Sequence, residues 1–334
     1  MHKEFSDEKM QLLTGQIFIG QGILVAFQLG LFSLLLNKPL QIQDIATKLR
    51  LSSRAAQSIV SCASAFGFIE FKIQKYKLTL LGESFFSPKS KDYYGDVLNL
   101  FIKENEIMNF SNIKKAILTN KSLANKGRPL FEQQSSISNT KKFISALHQK
   151  AIKPAFFWTK KYPLNKNKKI IDIGGGSGIH SIAACLTNSQ LTGIVCERKK
   201  VTLTTKKYIN DFNLNSRISV KQIDMWKDNF PRGDIYFFGD IFHDWDEKKC
   251  FLLAKKSFEL LPKNGKIILH EMLFNNDKTG PLLTSAYNIK MMSWTEGQQY
   301  SKIEITKLLK KAGFKKIIIL KALGNWSLII GTKK

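Results

Sequence analysis

The chain has 334 residues, 43% of them hydrophobic, which is enough for two globular domains with separate cores and excludes a disordered or fibrous protein. Its formal charge of +26 comes from 52 Lys and Arg against 26 Asp and Glu. The lysines are spread along the whole chain and form no stripe, which argues for compositional bias and against a nucleic-acid or acidic-membrane surface.

Residues 1–36 read as helical. No charged residue lies between Lys9 and Lys38, and the run 17–36 is long enough to cross a bilayer. It is interrupted by Gln21, Gln28, Ser33 and glycines, and the start lacks the basic region and small-residue cleavage site of a secretory signal. A helix apolar on every face is buried somewhere; the expectation is a subunit interface and no membrane.

Residues 41–49 show helical spacing, with Ile42, Ile45 and Leu49 on one side. Ser52 caps a second helix over 52–67 that ends at Gly67. Two β-type runs follow, 68–73 and 76–80, joined by a tight Gln-Lys turn. Helix, turn, helix and hairpin is the winged-helix arrangement. As a DNA reader its second helix offers only Arg54 and Gln57 before Ala, Ser and Ile, so no nucleic-acid partner is expected.

Residues 92–160 look helical with a polar break at 119–140, and the helix over 140–152 leads into a turn-rich segment. From Lys168 onward strands (168–174, 190–197, 218–224, 233–242, 266–273) alternate with helices (181–187, 199–213, 248–261, 301–313), and two closing strands, 314–323 and 326–333, are placed to pair antiparallel. Such alternation means a mainly parallel sheet with helices on both faces. The expected fold is an α/β Rossmann-type domain behind a mainly α, winged-helix-like N-terminal domain. Its divisions are a winged-helix-like dimerisation domain over 1–91, a helical connector over 92–164 that contributes to the acceptor pocket, and a cofactor-binding domain over 165–334. The four cysteines, Cys62, Cys185, Cys196 and Cys250, form no C-x-x-C pair and fit structural thiols in a reducing, cytoplasmic setting.

The strongest motif is Asp172-Ile173-Gly174-Gly175-Gly176-Ser177-Gly178, after a strand and before a helix. Glycines let the backbone approach a ligand, and the helix start presents free N–H groups. Dinucleotide sites want G-x-G-x-x-G, but the third position here is Ile179. The G-x-G-x-G spacing with a preceding acid is that of S-adenosylmethionine sites, with Asp172, Gly174 and Gly176 serving the methionine portion. Glu197, ending the next strand, accepts from ribose hydroxyls. Asp224 accepts from the adenine amino group and Met225 packs on its ring. Asp240, at the end of the fourth strand, is counted with the cofactor contacts.

Methyl transfer to a hydroxyl needs a base of near-neutral pKa, and His243 stands in Asp240-Ile241-Phe242-His243-Asp244-Trp245 on the rim where open α/β sheets bind ligands. Glu271 on the following strand is placed to fix its tautomer. His180 and His270 read as packing residues.

The motifs IIDIGGGSG, PRGDIYFFGDIFHDWDE, LPKNGKIILHEML, GPLLTSAYNIKMMSWTEGQ and KKAGFKKI resemble those of the S-adenosylmethionine-dependent small-molecule O-methyltransferases, the caffeate and acetylserotonin O-methyltransferase family. The resemblance runs from about residue 12 to the C-terminus. It implies that His243 deprotonates a phenolic or enolic acceptor in secondary metabolism, that Glu271 orients His243, and that the N-terminal domain forms a homodimer. Two departures stand out. The family's second orienting acid falls at Gln299, with Glu296 as a substitute, and a common Met is Leu147. Leu147, His148, Met291, Met292 and Trp294 are the candidate acceptor contacts. A carbon-methylating branch and a DNA-binding regulator with a degenerate catalytic domain are the alternatives. Residues 285–296 hold no histidine, so no metal is expected.

Overall fold

A computed structural model describes residues 7–123 and 136–334, so His2 and most of the expected break at 119–140 lie outside the described residues. The chain divides into two compact units, Met1–Ile102 and Lys103–Lys334.

In the first unit, helix α1 (Glu8–Gln28) stops where Gly30 takes φ +83°, and α2 (Leu31–Leu35) restarts in a new direction. The expected continuous helix is therefore two. Helix α3 (Ile42–Leu49) is followed by α4 (Ser53–Ala65), whose cap is Ser52 accepting the Ala55 N–H at 3.2 Å. The hairpin of β1 (Ile69–Lys72) and β2 (Lys75–Leu78) pairs Lys72 with Lys75, so its turn is Ile73-Gln74 and not Gln-Lys. Both turn residues have positive φ, +49° and +58°, which matches the strand twist although Ile73 is β-branched and 93% exposed. Leu31, Phe32, Ile45, Val60 and Ile69 meet in one core, closed by α5 (Leu80–Phe86). Helix α1 is long and apolar enough to cross a membrane by length and composition, and it carries Met10, Leu13, Ile17 and Phe18 exposed.

Helix α6 (Gly95–Glu104) runs across the division between the units. The second unit continues with α7 (Phe110–Thr119) and α8 (Ile137–Lys161). Sequence reading ends α8 near residue 152, before Pro154, which removes one helical hydrogen bond. The helix nevertheless continues through Pro154 because Ala155 and Trp158, one turn on, are buried in the core. Then β3 (Lys169–Ile173), α9 (Ile179–Thr187), β4 (Thr192–Glu197), α10 (Lys199–Asp211), β5 (Ile218–Gln222), β6 (Ile235–Gly239), α11 (Glu247–Leu260), β7 (Lys266–Met272), α12 (Leu282–Trp294), α13 (Lys302–Ala312), β8 (Lys316–Lys321) and β9 (Trp326–Thr332) build the α/β domain. The sheet order is β5-β4-β3-β6-β7-β9-β8; β3 to β7 are parallel, and β9 pairs antiparallel with β7 and β8, as the closing hairpin foretells.

From β3 the chain steps outward to β4 and β5, then returns to β6 on β3's other side. This reversal opens a crevice at the carboxyl ends of β3 and β6, the expected place for a ligand. One apolar layer, with Ile179, Ile182 and Trp158, covers one face; another, with Leu253, Leu308 and Phe314, covers the other.

Candidate active site

The glycine loop joins β3 to α9 at the crevice. A side chain at Gly175 would put its Cβ 2.6 Å from the Asp172 carboxyl carbon, so only glycine lets the loop fold over that acid. Asp172 Oδ2 accepts from the Ser181 hydroxyl at 2.9 Å, while its buried Oδ1 has no hydrogen-bond partner among the described residues. Burial pushes the Asp172 carboxyl up to about 7, and Ser181 only partly offsets that.

Glu197 reaches into the same loop, its Oε1 accepting the Gly176 N–H at 3.0 Å and its Oε2 the Arg198 N–H at 2.8 Å. Burial pushes its pKa up against these bonds. Glu197 pairs with Gln222 of β5, so Asp224 emerges beside it; Asp224 Oδ1 accepts the Trp226 N–H at 2.9 Å. Met225 is half-buried next to it. The structure therefore brings Asp172, the glycines, Glu197 and the Asp224–Met225 pair to neighbouring strand ends.

At the end of β6 the chain makes a sharp turn with Asp240 at φ +54°, then a single 3-10 turn over Phe242–Asp244. Glu271 on β7 organises this turn. Its Oε1 accepts the N–H groups of Ile241 (3.0 Å) and Phe242 (2.7 Å), and its Oε2 lies 2.6 Å from His243 Nδ1. An ionised carboxylate only accepts, so Nδ1 carries a proton in either charge state, and it is Nε2 that gains a lone pair when the ring becomes neutral. The TEG turn packs behind, where a Cβ on Gly297 would fall 2.2 Å from the His243 carbonyl oxygen.

Burial alone would lower the His243 pKa. The charges of Glu271 and Asp244, the Glu271 hydrogen bond and the charge of Asp240 overcome it and push the ring up to about 10. Asp244, whose Oδ1 is 3.6 Å from His243 Nε2, is pushed up to about 7 by burial against the pull of His243. Asp240 goes the other way. Burial would raise it, but Lys150, His243, His270 and the Trp326 indole N–H, 3.0 Å from its Oδ1, hold it below the usual carboxylate range. Asp240, His243 and Glu271 offer ligand atoms within 4.8 Å of one another, yet Glu271 is engaged by His243 and two backbone N–H groups and Asp240 by Trp326.

Period-2 alternation sends His270, next to Glu271, to the other sheet face. It lies 5.0 Å from the His180 ring and stacks on Trp326, and burial lowers both histidines, to about 4 and about 3.

The model of the O-methyltransferase domain family matches residues 110–315. The chain belongs to this family. Its relatives include the 3-hydroxy-5-methyl-1-naphthoate 3-O-methyltransferase of Streptomyces sahachiroi, 25% identical over 306 residues, covering 90% of this chain and 87% of the relative. The acetylserotonin O-methyltransferase of Gallus gallus is 23% identical over 337 residues, covering 94% of each chain. The crystal structure of human N-acetylserotonin methyltransferase in complex with SAM superposes with a TM-score of 0.86 at 22% identity, covering 100% of this chain and 99% of that one. The match confirms the O-methyltransferase resemblance and the Rossmann-type expectation.

Helices α8 and α12 meet through two side-chain contacts. Phe143 of α8 stacks on Trp294 of α12 (ring centroids 6.4 Å apart, interplanar angle 15°), and Lys150 of α8 bonds the hydroxyl of Tyr287 on α12. Leu147 lies between the two contacts on the same α8 face, at helical spacing, and is 38% exposed. Met291 is buried one turn before Trp294, and Met292 is half-buried on the adjoining face. His148 turns elsewhere. It is buried 2.8 Å from the Ser177 hydroxyl of the glycine loop, stacked on Tyr208, and burial lowers it to about 4. That places it against the glycine loop, because 147 and 148 lie on different faces of one helix. Glu296 pairs with Lys249 and not with His243, while Gln299 is fully buried. Sequence reasoning missed Lys150, Tyr287 and Trp326. The first two carry a signal, a Lys one turn after Leu147 and a Tyr one turn before Met291; Trp326 reaches Asp240 only through the order of β7 and β9.

Proposed function

We propose that this enzyme moves the methyl group of S-adenosylmethionine to a phenolic or enolic hydroxyl of a small metabolite, with His243 as the base. The observation that carries this is the Glu271–His243 pair, 2.6 Å apart, on the same sheet edge as the glycine loop. Asp172 supports the cofactor assignment, since its unpartnered buried oxygen calls for a donor such as the ammonium of the cofactor's methionine end. Glu197 and Asp224 are assigned to the ribose and the adenine, and Asp240 holds the turn that carries His243. The bound sulfonium supplies an electrophilic methyl and leaves as a neutral thioether. The chain's part is to align the acceptor oxygen and take its proton on His243 Nε2. Leu147, Met291, Met292 and Trp294 are assigned to the acceptor. The family model and the relatives named above favour transfer to oxygen over the DNA-regulator reading, and the carbon-methylating reading stays second because one relative, 25% identical over 86% of this chain, is an L-tyrosine C(3)-methyltransferase of Streptomyces lavendulae. Incubation with methyl-labelled S-adenosylmethionine and a panel of hydroxyarenes is expected to place label on an acceptor oxygen. Label on carbon, or no binding of S-adenosylhomocysteine in calorimetry, refutes the reading.

The winged-helix-like part is assigned to dimerisation, with a second copy covering the apolar face of α1. Ile17 and Phe18 are 64% and 75% exposed on a helix that carries no charge from Met10 onward, and such a patch marks an interface. Light scattering is expected to give twice the chain mass, and Ile17→Glu with Phe18→Glu to give one. A monomeric wild type counts against it. The four free thiols support a reducing, cytoplasmic setting.

A further inference from the structure

The glycine loop carries a single side chain. Residues 174–178 are four glycines and Ser177, and Gly174, Gly176 and Gly178 take φ of +68°, +58° and +77°. Such a stretch loses more backbone freedom on ordering than any other, and a ligand that has to order it binds more weakly. One flank of the loop is held through its backbone. The Gly174 N–H donates to the Cys196 carbonyl at 2.9 Å, and the Thr205 hydroxyl donates to the Gly176 carbonyl at 2.6 Å. The Gly176 N–H donates to Glu197 at 3.0 Å, and that carboxylate is also assigned to the cofactor's ribose. These three holds come from β4 and α10.

The other flank is held from α8, through that one side chain. His148 Nδ1 lies 2.8 Å from the Ser177 hydroxyl oxygen, and both residues are buried. The imidazole is fixed in its turn. It stacks on Tyr208 of α10, with ring centroids 4.0 Å apart and an interplanar angle of 21°, and the Tyr208 hydroxyl donates to Ser145 Oγ at 3.2 Å, one turn before His148 on α8. Ile144 reaches the same loop, its Cδ1 3.8 Å from where a Cβ on Gly176 would stand. Burial lowers the His148 ring to about 4, so at working pH it is neutral and offers one N–H and one lone pair. A hydroxyl answers either, so the bond forms in both tautomers. A buried ring nitrogen costs free energy unless it is bonded, and an apolar ring would stack on Tyr208 as well. The imidazole at 148 is therefore matched to Ser177 and not to packing alone.

We propose that His148 is a positioning residue for the cofactor: through Ser177 it holds the glycine loop in the shape that receives the amino-acid end of S-adenosylmethionine. This rests on the cofactor reading above, in which Asp172 beneath the same loop takes the ammonium. It adds a residue that touches no reacting atom and acts by ordering the loop before the ligand arrives. The Glu197 hold on Gly176 is shared with the ribose, whereas the His148 bond serves the loop alone. The adenosine is assigned to Glu197 and Asp224, on other strand ends, so the effect of His148 is confined to the amino-acid end.

The test titrates the full-length enzyme by calorimetry with two probes, S-adenosylhomocysteine and methylthioadenosine, which share adenosine and thioether and differ in the amino-acid end. His148→Phe keeps a ring against Tyr208 and removes the bond to Ser177. It is expected to weaken S-adenosylhomocysteine by about tenfold, the scale of one buried hydrogen bond, and to leave methylthioadenosine unchanged, which also shows that the variant is folded. His148→Asn puts an amide atom where Nδ1 stood and recovers most of the affinity. Ser177→Ala matches His148→Phe, and the double variant is no weaker than either single one, because both remove the same bond. In turnover the loss falls on KM for S-adenosylmethionine and not on kcat. An S-adenosylhomocysteine affinity indifferent to His148→Phe, an equal loss for both probes, or additive losses in the double variant overturns the proposal. A wild type that binds S-adenosylhomocysteine no more tightly than methylthioadenosine sinks instead the assignment of the loop to the amino-acid end, so the two failures are distinguishable.

Discussion

His243→Ala is expected to lower kcat by roughly 10²–10⁴-fold, the usual contribution of a positioned general base, while S-adenosylhomocysteine affinity measured by calorimetry stays the same. The side chain is buried at the rim and is held by Glu271, with Asp244 3.6 Å from its other nitrogen, so its removal leaves the glycine loop intact. Glu271→Gln is expected to cost as much by a different route. A glutamine oxygen still accepts the Ile241 and Phe242 N–H groups, but its NH₂ then faces His243 Nδ1. Two donors cannot face each other, so the imidazole must move its proton to Nε2, the atom that has to accept one. A Glu271→Gln enzyme with full turnover removes Glu271 from the orienting role, and a fully active His243→Ala removes the base.

The sequence made the α/β domain legible because each element there agrees with its local signal. The strand 168–174 is apolar and flanked by turns, and β3 forms within it; the acids at 172, 197 and 224 end strands that the sheet order then brings side by side. His243 and Glu271 were legible for a related reason, since a motif just past one strand and an acid late in the next must meet when those strands are parallel neighbours. What escaped depends on tertiary geometry. Pro154 signals an end to α8, and burial of Trp158 overrides it. His148 and Leu147 are adjacent in sequence, but His148 is buried against Ser177 while Leu147 stays partly exposed. Helix α12 shows in the sequence only as a motif. Its apolar and polar residues are mixed around the axis, with Lys290 lying over the ring of the buried Trp294, so its spacing carries no clean amphipathic signature.

Cofactor binding is expected to expel a proton when the ligand is S-adenosylmethionine and not when it is S-adenosylhomocysteine. The ligand-free protein holds His243 protonated at neutral pH, because Glu271, Asp244 and Asp240 push it up to about 10. A protonated ring is no base, so the site requires something that lowers this pKa as the reactants assemble. In the proposed reading, the sulfonium of the bound cofactor would supply that charge. At an effective dielectric of about 20, a unit charge held roughly 5 Å from the ring would contribute on the order of 3 kcal/mol, or about two pKa units. Calorimetry at pH 8 in two buffers of different ionisation enthalpy reads the protons released. The difference between the two ligands is the informative quantity, because they share every other titrating group and differ only in charge at sulfur. By reciprocity, S-adenosylmethionine affinity rises as pH approaches about 10, while that of S-adenosylhomocysteine does not follow the same slope. The same shift sets a stability window. A folded pKa raised from 6.5 to about 10 stabilises the fold fully below about 6.5, and that contribution is lost as pH climbs through about 10. His243→Asn should abolish both the ligand-dependent proton release and this alkaline loss. Equal proton release for the two ligands, or release that persists in His243→Asn, places the titrating group elsewhere and removes the electrostatic link between cofactor charge and the base.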